Sequence, residues 1–174
     1  SGYGVLVRSM RDIGYNMFGY DKHCRSIFAQ EFNHSHLTSK YDLLTSFEVF
    51  EHLENPILEV EQMLKLSDNI FFSTEIVPQK LVKSDDWWYV MPETGQHISL
   101  YSIKSLKIIA EKNGLNFYSN GKNLHLFTKN KINSFIFQLV LKNKINKVIN
   151  FFIRDNKSLL QSDYSELISQ NIYE

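Results

Sequence analysis

The sequence predicts an α/β fold: a mostly parallel sheet that ends in an antiparallel hairpin, followed by C-terminal helices. Helical and strand-like apolar patterns alternate along most of the chain, as they do where helices join parallel strands. Two closing strand-like segments flank Asn120-Gly121, a dipeptide typical of hairpins because both residues tolerate positive φ. We expect the sheet domain to cover residues 1–129 and a helical extension to cover 130–174.

The first elements follow one another without long linkers. Val5–Asp12 places apolar side chains on one side and precedes Gly14, which predicts a short helix. Tyr15–Tyr20 is a short aromatic run and predicts a strand, whereas Lys22–Phe28 returns to a helical spacing. Tyr41–Val49 predicts the next strand.

The later elements have clearer boundaries. Asn55 is a good helix cap, and the proline after it suits the first position of a helix over Pro56–Leu66. Asn69–Thr74 is almost wholly apolar, which is typical of a parallel strand covered on both faces. Ser102 caps a helix that Gly114 ends. The two hairpin strands are Leu115–Ser119 and Leu124–Thr128.

The last segment, from Lys131 onward, is rich in Asn and Lys around two apolar clusters, Phe135–Leu141 and Val148–Ile153. This pattern predicts one or two amphipathic helices that pack on the core or on a second copy, so we expect a homodimer through them. A helix lying on a membrane surface is the alternative.

Composition excludes several classes of partner. The chain has 19 basic and 19 acidic residues, so it lacks the positive charge of a nucleic-acid binder. Its single cysteine, Cys24, can form neither an internal disulfide nor a cysteine zinc site, which suits the cytoplasm. No leader and no apolar run of about 20 residues is present, so we expect no integral membrane segment.

A glycine turn is the first candidate for chemistry. Gly2-Tyr3-Gly4 runs into the first predicted helix, where backbone N–H groups can approach a polar ligand. An ordinary tight turn is the alternative. Asp21 follows the next predicted strand, and an acid there can accept hydrogen bonds from ribose hydroxyls. Together these features predict a nucleoside-containing ligand, without separating a nicotinamide dinucleotide from S-adenosylmethionine.

Three further segments help to decide between these two candidate ligands: YDLLTSFEVFEHLENP, NIFFSTE and GQHISLYS. With GYG and GYD they resemble the class I S-adenosylmethionine-dependent methyltransferases. The branch that they resemble contains ubiquinone-biosynthesis O-methyltransferases and methyltransferases of sugar and surface-polysaccharide pathways. The resemblance covers Gly2 to about Lys129, and EVFEHLENP is its most specific part.

The resemblance implies a Rossmann-like sheet, S-adenosylmethionine as cofactor, and methyl transfer to a small molecule, with a hydroxyl of a sugar or related metabolite as the expected acceptor. In that family a strand and an acidic residue precede the glycine turn. We therefore expect the first strand to be missing and the sequence to be truncated at its N-terminus. A catalytically inactive binding or assembly module is the alternative, whereas a nicotinamide-dependent oxidoreductase is disfavoured by the short sheet and its closing hairpin.

The resemblance also implies roles for individual residues. The positions matching the cofactor site are Gly2, Gly4, Asp21, Ser46, Phe47 and Glu48. Glu51 and His52 match a Glu-His pair at the floor of the active site, and His97 matches a histidine that faces the substrate.

Either histidine of these motifs could act as a base, because imidazole titrates near neutral pH. We expect His97 to be the base in preference to His52. The alternative for His52 is a capped turn residue that bonds to backbone, and the alternative for His97 is an ordinary loop histidine. No metal site is expected. The remaining histidines lack metal-ligand spacing and are expected at the surface or in the core: His23, His34, His36 and His125.

An aromatic loop, residues 85–97, contains Trp87, Trp88 and Tyr89 beside acidic residues such as Asp85 and Asp86. Such rings can stack on a sugar face while carboxylates accept hydroxyl hydrogen bonds. We expect a substrate-binding lid, and a hydrophobic plug over the core is the alternative.

Overall fold

The computed structural model describes residues 2–34, 40–80, 83, 87–142 and 157–171. The chain divides into two compact units, which we describe separately. The N-terminal unit comprises Ser1–Thr38 with Lys147–Glu174, and the sheet unit comprises Ser39–Asn146. The domain boundary expected near residue 129 stays a prediction.

Five helices and four strands make up the regular structure of the described residues. The helices are α1 (Val5–Asp12), α2 (Pro56–Leu66), α3 (Ile103–Lys112), α4 (Ser134–Val140) and α5 (Leu160–Asn171). The strands are β1 (Leu44–Phe47), β2 (Asn69–Ser73), β3 (Asn116–Ser119) and β4 (Leu124–Thr128). The α/β class is therefore confirmed.

The sheet has the strand order β1-β2-β4-β3. Strands β1 and β2 are parallel, with Leu44 opposite Ile70, whereas β4 runs antiparallel to both β2 and β3. Only one of the three strand pairs in the described sheet is parallel, so the expected mostly parallel sheet is not found there. The predicted closing hairpin is confirmed. The carboxyl ends of β1 and β2 lie at one edge of the sheet, which is where an α/β sheet binds ligands.

The hairpin turn differs in detail from the predicted one. Ser119 is opposite His125, so the loop between the strands is longer than Asn120-Gly121. Gly121 has a φ of 78°, whereas Asn120 keeps an ordinary negative φ. The Asn120 side chain instead accepts backbone hydrogen bonds from the next residues, 122 to 124, and so holds the loop closed.

Two predicted elements are wrong. Tyr15–Tyr20 is not a strand, because its pairing is limited to an isolated bridge between Gly19 and Asn33. Lys22–Phe28 is not a helix: the Asp21 carboxylate accepts the backbone N–H groups of residues 23 and 24 and forms a turn instead.

The core of the sheet unit lies between the sheet and helices α2 and α3. Phe50 and Phe72 stack with ring centroids 4.0 Å apart, and Phe127 packs against both. These rings and the apolar faces of the two helices are buried in one cluster: Phe50, Val60, Ile70, Phe72, Tyr101, Leu106, Ile109, Ala110, Leu115 and Phe127.

The N-terminal unit joins the two ends of the chain. Helix α5, which falls in the predicted helical extension but outside its two apolar clusters, packs on α1 through the buried side chains of Arg11 and Asp163. The Arg11 guanidinium also lies 3.8 Å from the centre of the Phe32 ring. A small apolar cluster of Val7, Ala29 and Phe32 completes this unit.

The predicted C-terminal helices are found in part. Phe135–Leu141 corresponds to α4, whereas Val148–Ile153 lies outside the described residues. Within the described part of the chain, the helices are too short or too polar to cross a bilayer.

Candidate functional site

The glycine turn before α1 needs both of its glycines. Gly2 and Gly4 have φ values of 54° and 85°, a left-handed region that other residues adopt at a cost. A Cβ atom on Gly4 would lie 2.2 Å from the Ser26 hydroxyl oxygen, so a side chain there would force Ser26 to move. A Cβ atom on Gly2 would have no neighbour within 4 Å. Gly4 thus allows close packing, whereas the backbone at Gly2 faces open space.

The structure brings Asp21 to this turn. Its carboxylate accepts hydrogen bonds from the backbone N–H groups of Gly2, at 2.8 Å, and of His23 and Cys24, both at 2.9 Å. The bond from Gly2, followed by those from His23 and Cys24, holds the pKa of Asp21 well below its usual range. Asp21 therefore carries a negative charge at neutral pH and orders the glycine turn.

The end of β1 carries three further expected residues in succession. Ser46 is buried, whereas Phe47 is exposed and packs edge-on against Phe71. Glu48 has a φ of 51°, an uncommon conformation that is often associated with functional sites. The Ser73 hydroxyl accepts the Glu48 backbone N–H at 2.9 Å and donates to its carboxylate at 2.5 Å, which fixes this conformation. Sequence reasoning missed Ser73, because β2 contributes it across the sheet.

A short 3₁₀ turn, Phe50–His52, follows β1 and is held by the segment after His97. The Ser99 backbone N–H donates to the Glu51 carbonyl at 2.9 Å, and the Tyr101 hydroxyl donates to the Phe50 carbonyl at 2.8 Å. Burial raises the pKa of Tyr101 to about 12, so its hydroxyl keeps its proton. Ser99 and Tyr101 lie in the GQHISLYS motif, but the sequence analysis gave them no role.

These bonds bring His52 and His97 together. Their ring centroids are 5.0 Å apart, with the ring planes at 72°. Nδ1 of His52 lies 2.9 Å from the Gln96 carbonyl oxygen, and Nδ1 of His97 lies 2.5 Å from that of Tyr89. A carbonyl only accepts hydrogen bonds, so each Nδ1 is the donor, and Nε2 is the nitrogen of each ring that is left for another partner. His52 is exposed and His97 is half-buried.

Glu51 is the third member of this group and is fully buried. Neither of its carboxylate oxygens accepts a hydrogen bond from the residues that the structure describes. One ligand atom from each of Glu51, His52 and His97 lies within 4.8 Å of the other two. Such a group could hold a metal ion, although the sequence analysis expected none.

The aromatic loop is divided between core and surface. Trp87 and Tyr89 are buried, as in the plug alternative, whereas Trp88 is 72% exposed, as expected of a ring that contacts a ligand. The Tyr89 hydroxyl lies 3.2 Å from the Thr74 hydroxyl, which anchors the loop to the end of β2. Burial, with the nearby Glu51 carboxylate, raises the pKa of Tyr89 far above its ordinary value. Asp85 and Asp86 lie outside the described residues.

The other histidines take varied positions. His125 is fully buried in the sheet, with Nε2 donating to the Thr74 carbonyl at 3.0 Å and Nδ1 lying 2.8 Å from the Ser119 hydroxyl. Burial lowers the pKa of His125, which therefore has a neutral core role. His23 is exposed, and His36 lies outside the described residues.

Comparison with known proteins gives one family. The family described as "Methyltransferase domain" matches residues 1–120. No curated protein and no solved structure gives a significant match. The family match covers more than half of the 174 residues and includes the glycine turn, the end of β1 and the Glu51, His52 and His97 group. The chain therefore belongs to the methyltransferase domain family.

Proposed function

We propose that the chain is an S-adenosylmethionine-dependent methyltransferase that methylates a hydroxyl of a small molecule such as a sugar or related metabolite. The family match over residues 1–120 is the observation that carries this proposal, since this family generally uses S-adenosylmethionine. Methyl transfer from a sulfonium requires orientation and exclusion of water more than covalent help from the protein.

The N-terminal unit supports the cofactor assignment. Gly4 provides no capping side chain, so the first turn of α1 is open to a polar ligand. The backbone at Gly2 is also open, and Asp21 places a negative charge beside it. This arrangement fits the hydrogen-bonding groups of a nucleoside cofactor.

The sheet unit provides a second set of cofactor candidates. Ser46, Phe47 and Glu48 lie at the carboxyl end of β1, and the exposed Phe47 ring can pack against an apolar part of a ligand. The left-handed backbone at Glu48 supports a functional role for this position.

Acceptor binding is assigned to the aromatic loop and the histidines. The exposed Trp88 ring can stack on a sugar face. His97 holds its Nδ1 proton against the Tyr89 carbonyl, so its Nε2 can accept the proton that an acceptor hydroxyl loses. His52 is the second candidate for this step. Trp87, Tyr89 and Glu51 are buried, and in this proposal they hold Trp88 and the two histidines in position.

Calorimetric titration with S-adenosylmethionine tests the cofactor assignment. We expect saturable heat with the parent chain and a large loss of affinity in Asp21→Asn. Asp12→Asn is the matched control, because Asp12 is an exposed acid of the same unit and pairs with Arg8 on α1. Circular dichroism checks that each variant folds. A folded parent that gives no heat would contradict the proposal and favour the non-catalytic module.

A mass-shift screen with hydroxylated metabolites, including sugar nucleotides, tests the acceptor. We expect a gain of one methylene in mass, and a loss in kcat of about 10²–10⁴-fold in His97→Gln if this residue is the base. His23→Gln is the control, since His23 is an exposed histidine outside the sheet unit. Equal activity of the two variants would exclude His97 as the base.

We also propose a homodimer through the C-terminal helices. Phe135 and Ile136 on α4 are 72% and 56% exposed, an unusual exposure for neighbouring large apolar side chains. Light scattering on the parent chain and on Phe135→Ser tests this. A monomeric parent would rule it out.

A further inference from the structure

We infer that Glu51, His52 and His97 form a binding site for a divalent transition-metal ion, best matched by Zn²⁺. Their three ligand atoms lie within 4.8 Å of one another. Two imidazoles and one carboxylate form a ligand set that zinc enzymes use, and it leaves a fourth position open.

The hydrogen bonds of both histidines favour a metal. Each ring donates Nδ1–H to a backbone carbonyl, of Gln96 for His52 and of Tyr89 for His97. Histidines that ligate metals are usually oriented in this way, because the bond fixes the tautomer and leaves Nε2 for the ion. Their rings meet edge to face rather than stacked, so their free nitrogens need not point in parallel.

The buried carboxylate of Glu51 favours a metal independently of the histidines. Its side chain is fully buried, and neither carboxylate oxygen has a hydrogen-bond partner among the described residues. Burying a carboxylate without a partner is costly, and buried carboxylates are normally paired or coordinate a metal. The other two members of the group are imidazoles, and the buried Tyr89 hydroxyl is a further polar group near the Glu51 carboxylate. A bound cation would therefore satisfy the one buried carboxylate that the fold leaves unsatisfied among the described residues.

The geometry needs only a small contraction. Ligand atoms about 2.1 Å from a tetrahedral ion are roughly 3.4 Å apart, so these atoms would close in by at most about 1.4 Å. The turn that carries Glu51 and His52 is already fixed by Ser99, whose N–H and hydroxyl donate to the carbonyls of Glu51 and Leu53. Side-chain rotation rather than backbone movement can therefore complete the site.

The combination of two nitrogen ligands and one oxygen ligand favours a transition-metal ion. Imidazole suits Zn²⁺ and its neighbours in the first transition row, whereas Mg²⁺ and Ca²⁺ prefer sites made of oxygen atoms. His52 is exposed, so an ion could enter from solvent and keep an open position. On the proposed function, that position would hold the acceptor oxygen and make its hydroxyl more acidic. With the ion bound, this effect would replace the base role of His97 and His52, because their Nε2 atoms would ligate the metal.

Calorimetric titration of the EDTA-treated, dialysed full chain with Zn²⁺ tests the site in the absence of S-adenosylmethionine. We expect one ion per chain, and an affinity lower on the order of 100-fold or more in Glu51→Gln and in His97→Asn. His23→Asn is the control for adventitious histidine binding and should keep the parent affinity. The inference is overturned if the parent fails to bind at about 100 µM Zn²⁺ or if Glu51→Gln binds as the parent does.

Thermal unfolding separates a lost metal site from a lost fold. Without metal, Glu51→Gln should be at least as stable as the parent, because it removes a buried charge that lacks a partner among the described residues. Zn²⁺ should raise the melting temperature of the parent and leave that of the variant unchanged. A variant that is less stable without metal and still responds to Zn²⁺ would assign Glu51 a purely structural role. These measurements contain no S-adenosylmethionine. A negative result for Zn²⁺ would therefore not bear on the separate test of S-adenosylmethionine binding.

Discussion

Replacing Gly4 with alanine should destabilise the N-terminal unit far more than the same change at Gly2. At Gly4, with φ at 85°, the new Cβ would lie 2.2 Å from the Ser26 hydroxyl oxygen and 3.2 Å from Ala29. The left-handed backbone costs about 1–2 kcal/mol, and overpacking adds about 1–3 kcal/mol, which gives roughly 2–5 kcal/mol in all. Gly2→Ala has the backbone cost of about 1–2 kcal/mol without the clash, because nothing lies near its Cβ.

The double variant Gly4→Ala with Ser26→Ala isolates the clash. Alone, Ser26→Ala loses the hydrogen bond from the Ala29 backbone N–H at 3.1 Å, which is worth about 0.5–1.5 kcal/mol. In the Gly4→Ala background the same change removes the clashing oxygen. We therefore expect the two changes to couple favourably by about 1–2 kcal/mol.

Hydrogen exchange read by mass spectrometry on peptides from residues 2–34 measures this locally, as the free energy of opening. Tryptophan fluorescence would not, because both tryptophans, Trp87 and Trp88, lie in the sheet unit. Two results would refute the reasoning: equal losses in Gly4→Ala and Gly2→Ala, or strict additivity in the double variant.

Two further predictions concern buried titratable side chains, one in each unit. Asp163→Asn should destabilise the N-terminal unit by about 3–5 kcal/mol, since it breaks a buried pair with Arg11 at 2.7 Å, whereas the exposed control Asp12→Asn should change little in the same hydrogen-exchange measurement. In the sheet unit, burial lowers the pKa of His125 below its value in the unfolded chain, which is near 6.5. The free energy of unfolding is therefore at its full value above about pH 6.5, and it falls by up to about 1.4 kcal/mol per pH unit below that pH. Urea titrations followed by tryptophan fluorescence should show this fall in the parent and a flatter pH profile in His125→Gln; identical slopes would contradict the assignment.

Elements with local signals could be predicted from the sequence. Helix α2 has both of its predicted ends, because the Asn55 side chain accepts the Leu58 backbone N–H and proline occupies the first position. Helix α3 begins after Ser102 for the same kind of reason, in a capping box with Ser105. These signals act within four residues and need no information about the rest of the fold.

Elements that depend on distant partners were missed or wrong. Arg11 donates to the Asn16 side chain and to the Met17 carbonyl. The segment that was expected to be a strand is therefore hydrogen-bonded to a side chain of α1. Its other partner, Asp163, lies 152 positions away. An arginine on a short helix and an aspartate on a polar C-terminal helix carry no signal of pairing until the chain is folded.

The Glu51, His52 and His97 group shows why the site could be predicted only as separate motifs. Glu51 and His52 are neighbours in sequence, but the 3₁₀ turn buries the first and exposes the second. His97 reaches them because Ser99 and Tyr101 bind the backbone of that turn. Spacing rules for metal ligands apply where one helix or loop carries at least two ligands at a regular interval. Here the third member comes from another loop, so no regular spacing of histidines signals the group. The hydrogen bonds of Ser99 and Tyr101 bring it together only in the folded chain.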